Sequence, residues 1–219
     1  AAADAVVAAA KSAVAERGRF ALALSGGRTP AELHRLLAGP YRDEMPWAQV
    51  HIFWGDERYV PHDDARSNYR MARETLLEHV PIPARQVHPM PDDGGGPEEA
   101  AREYEEVLRA VFGNDHVPQF DLILLGMGAD GHTASLFPGT PAVAERDRWV
   151  TVGRAPVDPE VRLTLTQPVL FKARRLLFLV TGEDKRPVLE AIRANPLAAA
   201  DRYPAAAVAL AGKATWYVV

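Results

Sequence analysis

Asp130 and His132 stand two positions apart in the run Leu125-Gly126-Met127-Gly128-Ala129-Asp130-Gly131-His132-Thr133-Ala134-Ser135-Leu136-Phe137-Pro138, with Gly126, Gly128 and Gly131 around them. An imidazole changes charge close to neutrality, so a loop histidine is a natural general acid or base, and a nearby carboxylate can orient it or set its protonation. His132 and Asp130 are the candidate catalytic pair. So much glycine around one ionisable pair implies close approach of a ligand. A metal is not expected: these two lack further ligands at suitable spacing, and His34, His51, His62, His79, His88 and His116 show no helical pairing that would supply them.

Two further segments could handle charge. Leu24-Ser25-Gly26-Gly27-Arg28-Thr29-Pro30 reads as a strand entering a helix through a small turn. Backbone N–H groups at such a helix start cradle anions, and Ser25, Arg28 and Thr29 can add donors beside Gly26 and Gly27, so phosphate is the natural guest. The competing reading is a tight turn that uses glycine for positive φ. The segment lacks the P-loop lysine and the third glycine of a dinucleotide fingerprint, which argues against nucleoside triphosphates and NAD. In Trp54-Gly55-Asp56-Glu57-Arg58-Tyr59-Val60-Pro61, Asp56 is a candidate substrate contact and Arg58 a candidate for binding an anion or countering developing negative charge; solvated surface is the alternative. Ser67-Asn68 reads as a helix cap. Arg162, inside an apolar strand-like run, needs an anion partner, either a ligand phosphate or an internal carboxylate. Lys185, at a strand-to-helix junction, suits a phosphate or sugar hydroxyl, with a plain helix-surface role as the alternative.

The elements that must position these residues follow from periodicity. Short buried-strand patterns at 20–24, 50–54, 121–125, 161–166 and 176–180 alternate with helical patterns at 30–37, 69–79, 97–112 and 185–194. Residues 1–10 read as a first helix, 205–211 as an apolar stretch and 216–219 as a last strand. Such alternation predicts an α/β fold with an open, mostly parallel sheet and helices on both faces, ligands binding at the carboxyl ends of the strands. Residues 91–97, rich in Asp, Gly and Pro, read as a surface loop, and residues 1–219 as a single domain.

Composition narrows the function classes. The chain has 219 residues, 47% hydrophobic and 25% charged, which is ordinary globular composition. Its net charge is −4, from 25 basic and 29 acidic residues, without a long block of one sign, so neither nucleic acid nor a membrane surface is an expected partner. The absence of cysteine excludes disulfides, thiolate metal sites and a thiol nucleophile, and suits a cytoplasmic location. In residues 1–11 the order of apolar stretch and first positive charge is the reverse of a signal peptide's.

Taken together, Ser25 through Pro30, Trp54 through Pro61, Gly126 through Pro138, Arg162-Leu163-Thr164, and Thr181-Gly182 with Lys185 resemble the glucosamine-6-phosphate isomerase/6-phosphogluconolactonase family, on its lactonase side, across the whole chain. The resemblance implies an α/β sheet related to the glucosamine-6-phosphate deaminase and ribose-5-phosphate isomerase fold. It also implies cofactor-free hydrolysis of 6-phosphoglucono-δ-lactone in the oxidative pentose phosphate pathway. On that reading Ser25, Gly26, Gly27, Arg28 and Thr29 bind phosphate with Arg162 and Lys185 as cationic partners, and Asp56 contacts substrate. His132 activates water, Asp130 orients it and Arg58 counters charge. Two alternatives are a deaminase and a non-catalytic sugar-phosphate sensor. A deaminase loop resembles Gly-His-Ile-Ala-Phe-Asn-Glu-Pro, whereas this chain has Gly131-His132-Thr133-Ala134-Ser135-Leu136-Phe137-Pro138, without that glutamate, and has Arg58 where a deaminase favours Tyr. A sensor would not need His132.

Overall fold

The computed structural model describes residues 1–92 and 95–218. In chain order its strands are β1 (Phe20–Leu24), β2 (Val50–Trp54), β3 (Asp56–Arg58), β4 (Leu122–Leu125), β5 (Val150–Arg154), β6 (Val161–Leu165), β7 (Leu176–Val180) and β8 (Ala214–Val218). Its helices are α1 (Ala2–Arg17), α2 (Arg28–Ala38), α3 (Asn68–Thr75), α4 (Pro97–Phe112), α5 (Pro141–Ala144), α6 (Gln167–Lys172), α7 (Arg186–Ala194), α8 (Pro196–Arg202) and α9 (Pro204–Ala211).

A parallel sheet in the order β2-β1-β4-β7-β8 forms the centre. Every residue of β1, β4 and β7 is buried, and their sequences FALAL, LILL and LLFLV are unbroken apolar runs. Such runs mark parallel strands covered on both faces. α1 helps cover the sheet through Ala3, Val6, Val7, Ala10 and Ala13, whose spacing of three and four residues makes one helical stripe. From β1 the chain steps outward to β2, then returns to the other side of β1 for β4, β7 and β8. The order reverses between β1 and β4, and the crevice beyond the carboxyl ends of those two strands is where such sheets bind ligands. The loops starting at Ser25 and Gly126 both open there.

The second sheet corrects the expectation for 161–166. Residues 161–165 do form a strand, but it lies in a separate antiparallel sheet of order β3-β6-β5. β3 had read as a turn after β2, and β5 was not among the expected strands, although Trp149-Val150-Thr151-Val152 is an aromatic and β-branched run of the kind that favours a strand. Three residues are too few for an alternation to register, and β3 exists because β6 supplies its hydrogen bonds. Gly55 joins the two sheets: its N–H donates to Leu24 O at 2.8 Å and its carbonyl accepts from Leu165 N at 2.9 Å.

Boundaries moved elsewhere too. α2 begins two residues before Pro30, α1 runs on to Arg17, and α3 stops at Thr75 before a short turn, Leu77–His79. Lys185 falls in a one-turn 3-10 helix, Glu183–Lys185, ahead of α7. Helices α5, α6 and α8 were not anticipated. The expected loop at 91–97 includes residues 93 and 94, and the expected last strand includes residue 219; these lie outside the described residues. No helix among the described residues is long and apolar enough to cross a membrane.

Candidate active site

A cavity of about 350 Å³ opens at the crevice between β1 and β4 and is closed on its far side by the antiparallel sheet. That volume is in the range of small-molecule sites, roughly 300–1,000 Å³. The sequence-derived residues Ser25, Gly26, Asp56, Arg58, His132, Arg162 and Lys185 all stand on its wall.

The Asp130–His132 pair is built by the loop after β4. The ring Nδ1 of His132 lies 2.6 Å from Asp130 Oδ1, and the His132 backbone N–H donates to the same oxygen at 3.1 Å. The loop is tied by Gly131 N to Gly128 O, Gly128 N to His132 O and Ala205 N to Gly131 O, each 3.0 Å, and by the Thr133 hydroxyl to Gly126 O at 2.8 Å. Phe137 packs against the imidazole with ring centroids 4.3 Å apart. Gly128 permits the pair: a Cβ there would fall on His132 Nδ1 and Asp130 Oδ1. Burial raises the Asp130 pKa, but the hydrogen bonds and charge of His132 outweigh it and leave the carboxyl below its ordinary value. Asp130 therefore stays ionised. A carboxylate on Nδ1 fixes the tautomer that leaves the Nε2 lone pair free to accept a proton.

β3 sorts its three charged residues by the two-residue alternation of a strand. Asp56 and Arg58 face the cavity, while Glu57 is buried at the start of α3. There Glu57 accepts from the backbone N–H groups of Arg58, Asn68 and Tyr69, each at 2.7 Å, and from the Ser67 hydroxyl at 3.1 Å. Burial raises its pKa, opposed by those N–H donors. Its role is to anchor α3.

Arg58 and Arg162 are cross-strand partners, so their side chains share one face. Arg162 is only 6% exposed, and its Nε donates to Pro159 O at 2.7 Å. Arg58 donates to the carbonyl of Arg66, and its Nε is buried without a partner. Neither forms a salt bridge with Asp56 or Glu57 among the described residues. Burial, then the charge of Arg58, pushes the Arg162 pKa down. Asp56 accepts from the Ser135 hydroxyl at 2.7 Å, a bond that ties the loop after β4 to β3. Lys185 sits 2.5 Å from Asp184 as well as on the wall.

Three residues of the expected phosphate cradle are not on the wall. Gly27 caps α2 and is exposed, Arg28 is the first residue of that helix and is exposed, and Thr29 bonds Thr181 through the two hydroxyls at 2.9 Å. Ser25 and Gly26 remain, with Ser25 Oγ buried and unpartnered. Sequence reasoning missed Val157 on the wall and took Asn68 for part of a helix cap. Ser67 is the cap of α3, accepting from Arg70 N at 3.1 Å, whereas Asn68 turns its amide into the cavity and donates to Asp56 O at 2.9 Å. The signal was a second polar residue at a helix start that needs only one cap. Gly26 admits that amide, since a Cβ on it would collide with the Asn68 side chain. Among the described residues no group of three or more His, Cys, Asp or Glu is placed to hold a metal ion.

The family model described as glucosamine-6-phosphate isomerases/6-phosphogluconolactonase matches residues 1–216. The chain is 48% identical over 206 residues to a 6-phosphogluconolactonase of Synechocystis, covering 93% of this chain and 83% of that protein. It is 45% identical over 186 residues to a 6-phosphogluconolactonase of Mycobacterium tuberculosis, covering 82% and 75%. Among solved structures, a 6-phosphogluconolactonase from Thermotoga maritima superposes with a TM-score of 0.81 at 33% identity, over 99% of this chain and 93% of that one.

Proposed function

Since the chain belongs to the glucosamine-6-phosphate isomerase/6-phosphogluconolactonase family, we propose that its cavity hydrolyses 6-phosphoglucono-δ-lactone to 6-phosphogluconate in the oxidative pentose phosphate pathway, with His132 as general base. The observation that carries the chemistry is His132, held by Asp130 at 2.6 Å from behind, on the same wall as Arg58, Arg162 and Lys185. A base and a set of cations in one cavity fit a substrate with a phosphate at one end and a carbonyl at the other.

Arg162 and Lys185 are the cationic partners of the phosphate, and Arg58 counters charge on the bound substrate. Ser25 supplies a hydroxyl, and Gly26 lets the backbone come close. The start of α2, with Gly27, Arg28 and Thr29, contributes the positive end of a helix behind them. Asp56, held by Ser135, accepts from a sugar hydroxyl.

His132 takes a proton from water through Nε2 as the water oxygen adds to the lactone carbonyl. The tetrahedral oxyanion collapses, the ring C–O bond breaks, and the imidazolium returns its proton to the departing ring oxygen. Asp130 holds the tautomer and stabilises the imidazolium. The ester is already activated, so the reaction runs without a cofactor, and one base with accurate positioning suffices. The enzyme is cytoplasmic and residues 1–219 act as one unit, since the two sheets meet at this cavity.

The test generates the lactone fresh at near-neutral pH, couples the product to 6-phosphogluconate dehydrogenase and subtracts spontaneous hydrolysis. Wild type should exceed background by orders of magnitude, and His132→Ala should lose roughly 10²–10⁴-fold in kcat. A fully active His132→Ala would overturn the base assignment, and a wild type at background the lactonase reading.

A further inference from the structure

Among the large hydrophobic residues exposed in the described chain are Leu36, Val157, Leu197, Leu210 and Val218, and of these five Val157 alone stands on the wall of the active-site cavity. A lone exposed aliphatic on open surface calls for no explanation. Val157 is different because it is 63% exposed on the same cavity wall as Arg58, Arg162 and Lys185, on the side where the antiparallel sheet otherwise presents charged side chains.

The loop that carries it is braced. Residues 155–160 join β5 to β6, and Ala155 N donates to Glu160 O at 2.8 Å to close the loop's base. Arg162 Nε grips the carbonyl of Pro159 at 2.7 Å. Arg66 Nη1 reaches Asp158 at 2.6 Å, and Arg66 is itself fixed by a two-pronged contact on Asp64, at 2.9 and 2.7 Å. The carbonyl of Arg66 accepts from Arg58. The contacts form a closed circuit, from Arg58 to the Arg66 carbonyl, from the Arg66 side chain to Asp158, from neighbouring Pro159 to Arg162, and across the strand pair back to Arg58. Both rim segments are thus held by the cations of the cavity.

We infer that Val157 is a substrate-contacting specificity residue, covering the C–H face of the lactone ring, and that the Arg66–Asp158 pair is the brace that keeps it over the cavity. The inference rests on the lactone reading of the site. A pyranose-type lactone presents hydroxyls and the phosphate to polar partners, while its ring carbons need apolar cover. Met127, Ala134 and Phe137 offer this from the loop after β4, and Val157 offers it from the other sheet. Burying part of an isopropyl group against the ring contributes to binding alike in ground and transition states, so it shows in KM rather than kcat.

Steady-state kinetics on the fresh lactone test this with Val157→Ser, Val157→Ile, Arg66→Ala and the Val157→Ser/Arg66→Ala double variant, each also inhibited with inorganic phosphate. Val157→Ser should raise KM about fivefold, with kcat held and the phosphate inhibition constant unchanged, while Val157→Ile keeps a wild-type KM. Arg66→Ala should raise KM alone but add little to Val157→Ser, because the brace acts through the valine. A wild-type KM for Val157→Ser overturns the inference, as does a parallel rise in the phosphate inhibition constant, which would assign the loop to the cations. A wild type no faster than spontaneous hydrolysis removes the lactone reading and this inference with it. An active wild type with an indifferent Val157 removes only the inference.

Discussion

Arg58 and Arg162 face each other across the β3–β6 pair, two guanidinium side chains in register with no carboxylate salt bridge to either among the described residues. Arg162 is buried, and burial and then Arg58 push its pKa down, so the unliganded fold carries an electrostatic cost that an anion would relieve. Arg162→Met should therefore melt, without ligand, at or above the wild-type temperature, neutral to about 3 kcal/mol more stable. Its kcat/KM should fall on the order of 100-fold, about 2.7 kcal/mol of transition-state binding. Melts with and without phosphate check the pairing, since phosphate should raise the wild-type melting temperature and leave the variant's nearly unchanged. An unliganded variant far less stable than wild type would make the arginine structural.

Gly128 offers a way to disturb the catalytic pair without touching either member. An added Cβ falls on His132 Nδ1 and Asp130 Oδ1, so in Gly128→Ala the two side chains must part. Misplacement on the scale of 1 Å costs about 10² in rate, and the expected result is a loss of that order in kcat, with KM changed far less. Circular dichroism and melting temperature should stay close to wild type. A fully active Gly128→Ala would mean that the bond between Asp130 and His132 is dispensable.

Asp130→Asn tests the tautomer. The carboxylate accepts from Nδ1 and leaves Nε2 as the base, whereas an amide can donate to Nδ1 and favour the tautomer with its proton on Nε2, which cannot accept another. The fold should be undisturbed and kcat should drop roughly 10²–10⁴-fold, with KM little changed. Steady-state kinetics beside His132→Ala decide it, because the double variant should be no worse than His132→Ala alone if the two residues act as one unit.

The parts of this fold legible in the sequence were those with a strong local signal. The unbroken apolar runs of β1, β4 and β7 announced a covered parallel sheet, and the glycine-rich loops at their ends announced the crevice. What escaped notice is tertiary in origin. β3 is three residues long and pairs only with a strand about a hundred residues further on, so no local pattern could separate Asp56 and Arg58, which face the cavity, from Glu57, which anchors a helix. Asn68 was hidden by its neighbour: Ser67 satisfies the cap, and only the close approach of Gly26 shows where the amide goes. A glycine turn before a helix has the same local sequence whether its N–H groups line a cavity or stand behind it, so the sequence alone did not separate Gly27, Arg28 and Thr29 from Ser25 and Gly26, which are on the wall.

Acid stability depends on a histidine outside the catalytic machinery. His34 is fully buried in α2, and its Nδ1 lies 3.1 Å from Thr75 Oγ1, whose own proton goes to Met71 O. Nδ1 must therefore donate, which leaves Nε2 as a bare lone pair with no partner. Burial, with a smaller contribution from Arg35, lowers the His34 pKa from 6.5 to about 4. Between those values the unfolded chain binds a proton that the native chain refuses, so the stabilisation is complete above about pH 6.5 and is lost as pH falls towards about 4. The shift corresponds to about 3 kcal/mol. His88, lowered to about 4 by burial and then by the charge of His51 against which it stacks, acts in the same direction. Urea unfolding at intervals from pH 8 to pH 4 should show wild type losing stability below pH 6.5, and His34→Asn, which keeps a donor near Thr75 but cannot titrate, losing about 3 kcal/mol less over the same span. Parallel curves for the two proteins would mean that His34 accepts its proton without cost and that acid lability lies elsewhere.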